Sequence, residues 1–454
     1  MNWNLVSKIR NLSENNREVL KNIIAAFVVK GLSLIISLFT MPTYIRFFSD
    51  EVVLGLWFTI LSVLNWILTF DFGIGNGLRN KLTMTIASGD AQQSKRYLSS
   101  AYIVIGALCI IISAIFIFIA DFINWNSIFN IEEQIVSEKA LLYTVKIVFI
   151  GIILQMFFKL ITSVLYALQK SSVNNVLSLI STIITLLCVN LIPSSDNDKN
   201  MICMAFVHVL AVILPLVVCT LIVFNGKNLK GCTPSWRFFS KEHSKGILSL
   251  GGAFLFVQIA YMVIMNTNEY LISTFYHVGA VVDYQIYYKY FALCGTMFSL
   301  AMTPIWSAVT KAVVQKNFDW IRKLYKILLI ASGIGLVVEF AMMIFLQPFV
   351  NVWLGSSAII TQYDFGVPFA LLGSFILFNT AVSSIANGLG ELRTQVVFFG
   401  IGAIIKIPIS WLLVTLSQSW IGVVWATDLV LGVYCIVQGI VLKRKLFNDE
   451  RIEQ

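Results

Sequence analysis

Charge is what this sequence has least of. Only 12% of its 454 residues are Asp, Glu, Lys or Arg, where a soluble chain carries about a quarter. With 58% hydrophobic residues and a mean hydropathy of +0.84, it has no means of covering its apolar surface in water, and lipid tails are the solvent that suits it. Metal-ligand chemistry is scarce too. The three histidines, His208, His243 and His277, are far apart, and the seven cysteines are scattered with no CxxC pair. That argues against a disulfide framework and against a metal site, so no metal and no cofactor are expected. Six cysteines sit inside apolar runs, where a small apolar side chain packs between helices.

What is present is a succession of long apolar runs. A hydrocarbon core about 30 Å thick needs about 20 apolar residues of helix. Twelve segments meet that length, at about 21–45, 52–70, 98–120, 140–166, 174–192, 201–224, 246–274, 284–310, 326–346, 363–387, 395–415 and 421–442. The first is too long for a signal-peptide core and has no A-x-A-like cleavage site after it, so it is expected to remain as a helix.

The distribution of charge tests that count. With the N-terminus inside, the cytoplasmic segments hold 24 of the 32 Lys and Arg residues, chiefly in the N-tail and at 71–97, 225–245, 311–326 and the C-tail. The outer loops hold three, Arg46, Lys139 and Lys199, and carry acids such as Asp121, Glu132, Glu133 and Glu138. This is the positive-inside pattern, which an error in the span count would have scrambled. The net charge of +9 therefore reports topology and some attraction to anionic membrane lipid, and no nucleic-acid partner is needed to explain it.

The two halves repeat. Set against each other at an offset of 228 residues, Phe47-Phe48 falls on Phe275-Tyr276, Val53 on Val281, Lys95 on Lys323 and Tyr97 on Tyr325. The order of spans and loops matches as well. The expected architecture is an all-α membrane protein of about twelve transmembrane helices, in two parallel six-helix bundles around a central cavity. Residues 1–230 form one bundle and 231–454 the other, with a basic linker near 225–245. In parallel repeats of this kind the substrate path runs between the halves, and one half rocks against the other.

Charges at bilayer depth are costly and usually face a cavity or a partner. Five lysines lie within spans: Lys30, Lys146, Lys159, Lys289 and Lys406. Lys146, Lys159 and Lys289 lie near span ends, where snorkelling to the interface competes with a cavity role. Lys30 and Lys406 lie near span centres; helical spacing puts Lys30 on a face with Ser33 and Ser37, and Lys406 with Ser410. Lys30, Lys406, Lys159, Lys289 and Asn266 are the candidate cavity lining. Glu269, Glu339 and Asp428 are the acids within spans. Gln258, Tyr261, Asn266, Glu269 and Ser273 could form a polar stripe on the seventh span, lining either a water-filled path or a helix–helix contact. Five lysines against three acids favour an anionic substrate, such as a pyrophosphate, to which lysine presents a point charge. Fixed lysine–acid pairs are the alternative. A buried carboxylate also suits a proton or sodium carrier, which makes Glu269 and Asp428 the candidate ion-coupling residues. The stretch Gly73-Ile74-Gly75-Asn76-Gly77 lacks both the GxGxxG and the P-loop spacing and is expected to form a cytoplasmic turn. Prolines Pro42, Pro215, Pro304, Pro368 and Pro408 in or beside spans permit kinks.

Three motifs carry a resemblance. Thr69-Phe70-Asp71-Phe72-Gly73-Ile74-Gly75-Asn76-Gly77-Leu78-Arg79-Asn80 resembles a pattern of the Wzx-type O-antigen and polysaccharide flippases. So do Asn268-Glu269-Tyr270-Leu271-Ile272-Ser273 with Val278-Gly279-Ala280-Val281 and Tyr284, and Thr303-Pro304-Ile305-Trp306-Ser307-Ala308 leading into Asp319-Trp320-Ile321-Arg322. That resemblance, to the polysaccharide transporters of the multidrug/oligosaccharidyl-lipid/polysaccharide (MOP) superfamily, implies a V-shaped pair of bundles in the bacterial cytoplasmic membrane with both termini inside. It implies translocation of an undecaprenyl-diphosphate-linked oligosaccharide from inner to outer leaflet. A proton or sodium gradient, a polysaccharide polymerase and a chain-length regulator are the partners it suggests. Two alternatives stand beside it: a multidrug or cation antiporter of the same fold, and a membrane glycosyltransferase or polymerase. The enzyme reading is disfavoured because the longest outer loop, 121–139, has no cluster of catalytic carboxylates or arginines.

Overall fold

In hydrocarbon, a helix is the way an apolar segment satisfies its backbone internally. The computed structural model describes residues 14–48, 50–69, 73–129, 131–226, 229, 231–277, 280–354 and 360–447, and among these no residue is in a strand. Outside them lie Phe70-Asp71-Phe72 and Val278-Gly279 of the motifs above, Lys8 and Arg10 of the N-tail and Arg451 of the C-tail; the side chain of Ser37 is likewise outside. In chain order the helices are α1 (Glu14–Phe48), α2 (Glu51–Thr69), α3 (Ile74–Ala87), α4 (Ala91–Ala120), α5 (Trp125–Phe129), α6 (Glu138–Ala167), α7 (Ser171–Leu191) and α8 (Asn197–Asn225). They continue with α9 (Lys241–Asn266), α10 (Asn268–Phe275), α11 (Ala280–Val314), α12 (Phe318–Met342), α13 (Leu346–Leu354), α14 (Tyr363–Leu389), α15 (Arg393–Ser417) and α16 (Gly422–Phe447).

Ten described helical segments are long and apolar enough to cross a membrane. The first two expected spans are helical as well, in α1 and α2, with described apolar stretches at Asn22–Ser33 and Val52–Leu61. The chain is thus an all-α membrane protein of about twelve spans. Several helices exceed the 20 residues that hydrocarbon requires. At about 1.5 Å per residue, the 30 residues of α4 or α6 reach past a bilayer core, so their polar ends stand in water.

Two compact units form, Met1–Gly252 and Ala253–Gln454. The offset of 228 that aligns the halves in sequence also aligns their helices. It lays α1 on α9 and α10 together, α2 and α3 on the single helix α11, and α6, α7 and α8 on α14, α15 and α16. The interruptions are exchanged: the first unit has an unbroken first span and a divided second, and the other unit has the reverse. The fourth span packs alike in each, and the fifth does not. In the first unit α6 packs against α3, α4 and α8, and α7 lies along α1. In the second, α14 packs against α11, α12 and α16, and α15 lies along α16. Half of the apolar stretch of α6 and 61% of that of α14 are buried, against 17% for α4, and α16 is buried as deeply as α14.

The expected loop 71–97 is largely helical. In the glycine run, Gly73 is left-handed (φ 66°) and caps α3, which folds back to bury Ile74, Leu78 and Leu82 with Leu98, Met156 and Leu160. Gly75 and Gly77 belong to its first turns. The glycines are there for space: a Cβ on Gly73 would stand 1.7 Å from the Gly251 carbonyl oxygen, and one on Gly77 2.6 Å from that of Ile247. The linker is stitched down too. The Ser235 amide donates to Ser99 Oγ (3.0 Å), the Ser240 amide donates to Ser100 Oγ (3.1 Å), and His243 Nε2 lies 2.6 Å from Gln93 Oε1. Lys95 Nζ lies 4.1 Å from the Phe238 ring centroid.

These contacts separate two costs that a glycine substitution combines. Gly89 is also left-handed (φ 76°) but has nothing within 4 Å of an added Cβ. Gly89→Ala is expected to cost only the backbone strain, about 1–2 kcal/mol. Gly73→Ala adds a clash with backbone and is expected to lower the yield of monodisperse protein severely, measured by fluorescence-detected size exclusion with a thermal ramp. Equal behaviour of the two variants would show that the α3–α9 approach is not required.

Candidate functional site

The chemistry of the second unit gathers at the interruption between α9 and α10. Asn266 ends one helix, Asn268 begins the next, and Thr267 lies between them. A helix C-terminus leaves carbonyls without intrahelical donors and carries about half a negative charge. At bilayer depth no bulk water is available to satisfy them. The Thr267 hydroxyl donates to the Val263 carbonyl (2.6 Å), and Lys406 of α15 supplies the remaining donors. Its ammonium donates to the Ile264 carbonyl, to Thr267 Oγ1 (3.0 Å) and to the Val263 carbonyl (3.4 Å), and its side chain is 0% exposed. An ammonium has three donors, and all three are taken.

Asn268, 1% exposed, extends the network. Its Nδ2 donates to the Tyr284 hydroxyl (3.0 Å), and its Oδ1 accepts from Thr427 Oγ1 (3.0 Å). The network ties α10 to α11 and α16. Next to Thr427 along the chain, Asp428 is 3% exposed and neither of its carboxylate oxygens has a hydrogen-bond partner. Glu339 on α12 is similar: it is 0% exposed with both oxygens unpartnered. Its carboxyl carbon would lie 2.6 Å from a Cβ on Gly373, so only glycine on α14 leaves room for it.

The lysines that read alike in sequence have different surroundings. Lys406 faces no open space, because every donor is spent on protein oxygens, and a cavity-lining role does not follow from this geometry. Its expected companion Ser410 shares the buried face, with its hydroxyl unpartnered. Lys30 on α1 and Lys289 on α11 are exposed. Lys159 is half-buried and has a partner, and Lys146 pairs with Asp121 at 2.5 Å. Asn266 is exposed. Glu269 is exposed as well and accepts a hydrogen bond from Gln285 Nε2, so it is tied to α11 rather than buried. The stripe expected on the seventh span is interrupted at Thr267: Gln258 and Tyr261 are half-buried, with Tyr261 against Phe399 (ring centroids 5.5 Å).

A row of polar side chains that sequence reading missed runs down α11. Gln285, Lys289, Thr296, Ser299 and Thr303 recur at steps of three, four or seven residues, and Lys289, Thr296 and Ser299 are exposed. Thr296 and Ser299 also donate to carbonyls of their own helix, those of Ala292 (2.9 Å) and Thr296 (2.7 Å). Only Lys289 stood out in the sequence, because hydroxyl residues are common in membrane helices. Helical spacing was the signal that would have found the rest. Among the described residues no three His, Cys, Asp or Glu side chains converge to hold a metal ion.

These observations define a polytopic helical protein with two repeated bundles, a broken seventh span and cations within the membrane. Solved structures share that fold. One is a MATE transporter in the straight conformation, 15% identical with a TM-score of 0.72 and 96% of each chain covered. A second is an outward-facing multidrug-resistance MATE-family transporter of the MOP superfamily, 14% identical with a TM-score of 0.74 and 97% of each chain covered. A third, from Pyrococcus furiosus, is a MOP-superfamily transporter described as having a binding pocket of reversed polarity that suggests a different function; it is 14% identical, with a TM-score of 0.72 and 97% of each chain covered. At these identities the likeness shows the fold. No curated protein matches the sequence. The model of the polysaccharide biosynthesis protein family matches residues 19–310, more than half of the chain. The chain belongs to that family, and its fold is the one those solved transporters share.

The Asn268 network has a measurable weight. Asn268→Ala leaves the Tyr284 hydroxyl without its buried donor, while Thr427 keeps its bond to the Val423 carbonyl (3.0 Å), and is expected to cost about 1–2 kcal/mol. Asn266→Ala, exposed two residues earlier, is expected to stay within about 0.5 kcal/mol. Thermal unfolding of the purified proteins in one detergent separates the two.

Proposed function

We propose that the protein is a flippase. It translocates undecaprenyl-diphosphate-linked oligosaccharide repeat units of an O-antigen or related surface polysaccharide, from the inner to the outer leaflet of a bacterial cytoplasmic membrane. The observation that carries the reading is the exposed polar row on α11 headed by Lys289, in a chain of the polysaccharide biosynthesis family. Hydroxyl groups at helical spacing offer hydrogen bonds to sugars, and a lysine offers a point charge to a pyrophosphate. Lys30 supplies a second exposed cation within a span. Lys159 and Asn266 contribute from the span ends.

Two buried carboxylates with no hydrogen-bond partner, Asp428 and Glu339, support coupling to an ion gradient, since intramembrane acids commonly mark proton relays. Glu269, exposed and held by Gln285, is the weaker coupling candidate. A chain-length regulator and a polymerase are the protein partners that act next on such a product.

A multidrug or cation antiporter is the second reading, favoured by the fold shared with the multidrug-resistance transporter above. Overexpression separates the two: drug tolerance supports the antiporter, and an unchanged drug profile with altered surface polysaccharide supports the flippase. An enzyme acting after translocation would instead leave unpolymerised units on the outer leaflet of a strain lacking the gene, whereas loss of a flippase leaves them on the cytoplasmic leaflet.

Lys289→Ala and Lys30→Ala are expected to lower surface polysaccharide about tenfold, the equivalent of about 1.4 kcal/mol of lost interaction, at unchanged protein level. Immunoblotting of polysaccharide and of protein from the same cells reads both. Wild-type output from both variants would remove these cations from the substrate path.

A further inference from the structure

The α9–α10 interruption is an oxygen site, and its occupant is part of the chain. The carbonyls of Val263 and Ile264 and the hydroxyl of Thr267 converge on one point at the negative end of α9. Neutral oxygens at a half-helix C-terminus are the ligand set that discontinuous membrane helices present to small cations. Here the point is filled by the ammonium of Lys406, which arrives from α15 and is 0% exposed. Among the described residues Lys406 takes part in no salt bridge, so its charge rests on the helix end and these oxygens.

We propose that Lys406 is a tethered cation, holding by a covalent side chain the place at the α9–α10 break that a free monovalent cation would otherwise take. The tether has two consequences. The occupant can never dissociate, so this site does not exchange an ion during a transport cycle. The broken span is also satisfied in any salt, so the second unit needs no sodium to hold its fold. Removing the ammonium vacates the site and opens it to a soluble cation. The inference concerns the ion at this break and stands whichever solute the protein moves.

Purified full-length protein in detergent tests it, with unfolding followed by tryptophan fluorescence at constant ionic strength. Choline chloride is the reference, exchanged for NaCl, KCl or n-propylammonium chloride, the last matching the part of the side chain that Lys406→Ala removes. The wild-type midpoint is expected to be the same in all four salts. Lys406→Ala is expected to unfold at lower temperature in choline and to recover at least about 3 °C, saturably, with n-propylammonium or Na+.

Lys406→Met keeps the side chain out to Cε, leaves only the ammonium's place empty, and carries the test if the alanine variant does not accumulate. It is expected to be less stable than wild type in choline and to gain from Na+. Three results overturn the proposal: a wild-type midpoint raised by Na+ over choline, variants indifferent to every cation, or a methionine variant as stable as wild type in choline.

Discussion

A backbone carbonyl inside a bilayer must find a donor within the protein, and this requirement shapes the molecule at the two places where its membrane helices are divided. Where α9 ends at Asn266, the donors are the Thr267 hydroxyl at the break itself and a lysine on a different helix. Where α3 begins, a left-handed glycine turns the chain, and the helix settles directly against the backbone of α9 at Gly251. Neither solution is wholly local. The first needs α15 to deliver an ammonium to α9, and the second needs glycine on both sides of a contact that a single methyl group would open.

The repeat gives these divisions a context. An offset of 228 residues superimposes the helix order of the two units, yet each unit interrupts the span that the other leaves whole. A repeated bundle can therefore keep one packing scheme around its fourth span while placing its irregular backbone at non-equivalent positions. The second unit has its interruption in α9–α10 and, beside it, a buried polar cluster of Lys406, Asn268, Thr427 and Asp428. The first unit puts its polar bonds into anchoring the linker on α4 through Ser99, Ser100 and Gln93.

The cations within the spans show how the same residue type serves different ends. Lys146 meets Asp121 near a span end. Lys406 caps a helix, and Lys30 and Lys289 stand exposed on membrane helices. Burying an ammonium without partners is prohibitive, so its surroundings reveal its function more surely than its depth does. The acids divide in the same way: Glu269 reaches Gln285 on the neighbouring helix, whereas Glu339 and Asp428 lie closed in with no hydrogen-bond partner.

Solvent-driven features could be read directly from the sequence. The apolar runs, the alternation of basic and acidic connections, the helical class and the repeat follow from how each segment partitions between water and lipid, which depends on composition along one stretch of chain. The family resemblance rested on short motifs and pointed the same way as the family match over residues 19–310. Tertiary structure alone decided that 74–87 is a packed helix, that the seventh span breaks at Thr267, and that Lys406 turns inward to that break while Lys289 does not. Each of these depends on which helices come within a hydrogen bond's reach of one another. That proximity is set by packing between segments more than a hundred residues apart, and no local pattern of apolar and charged residues encodes it.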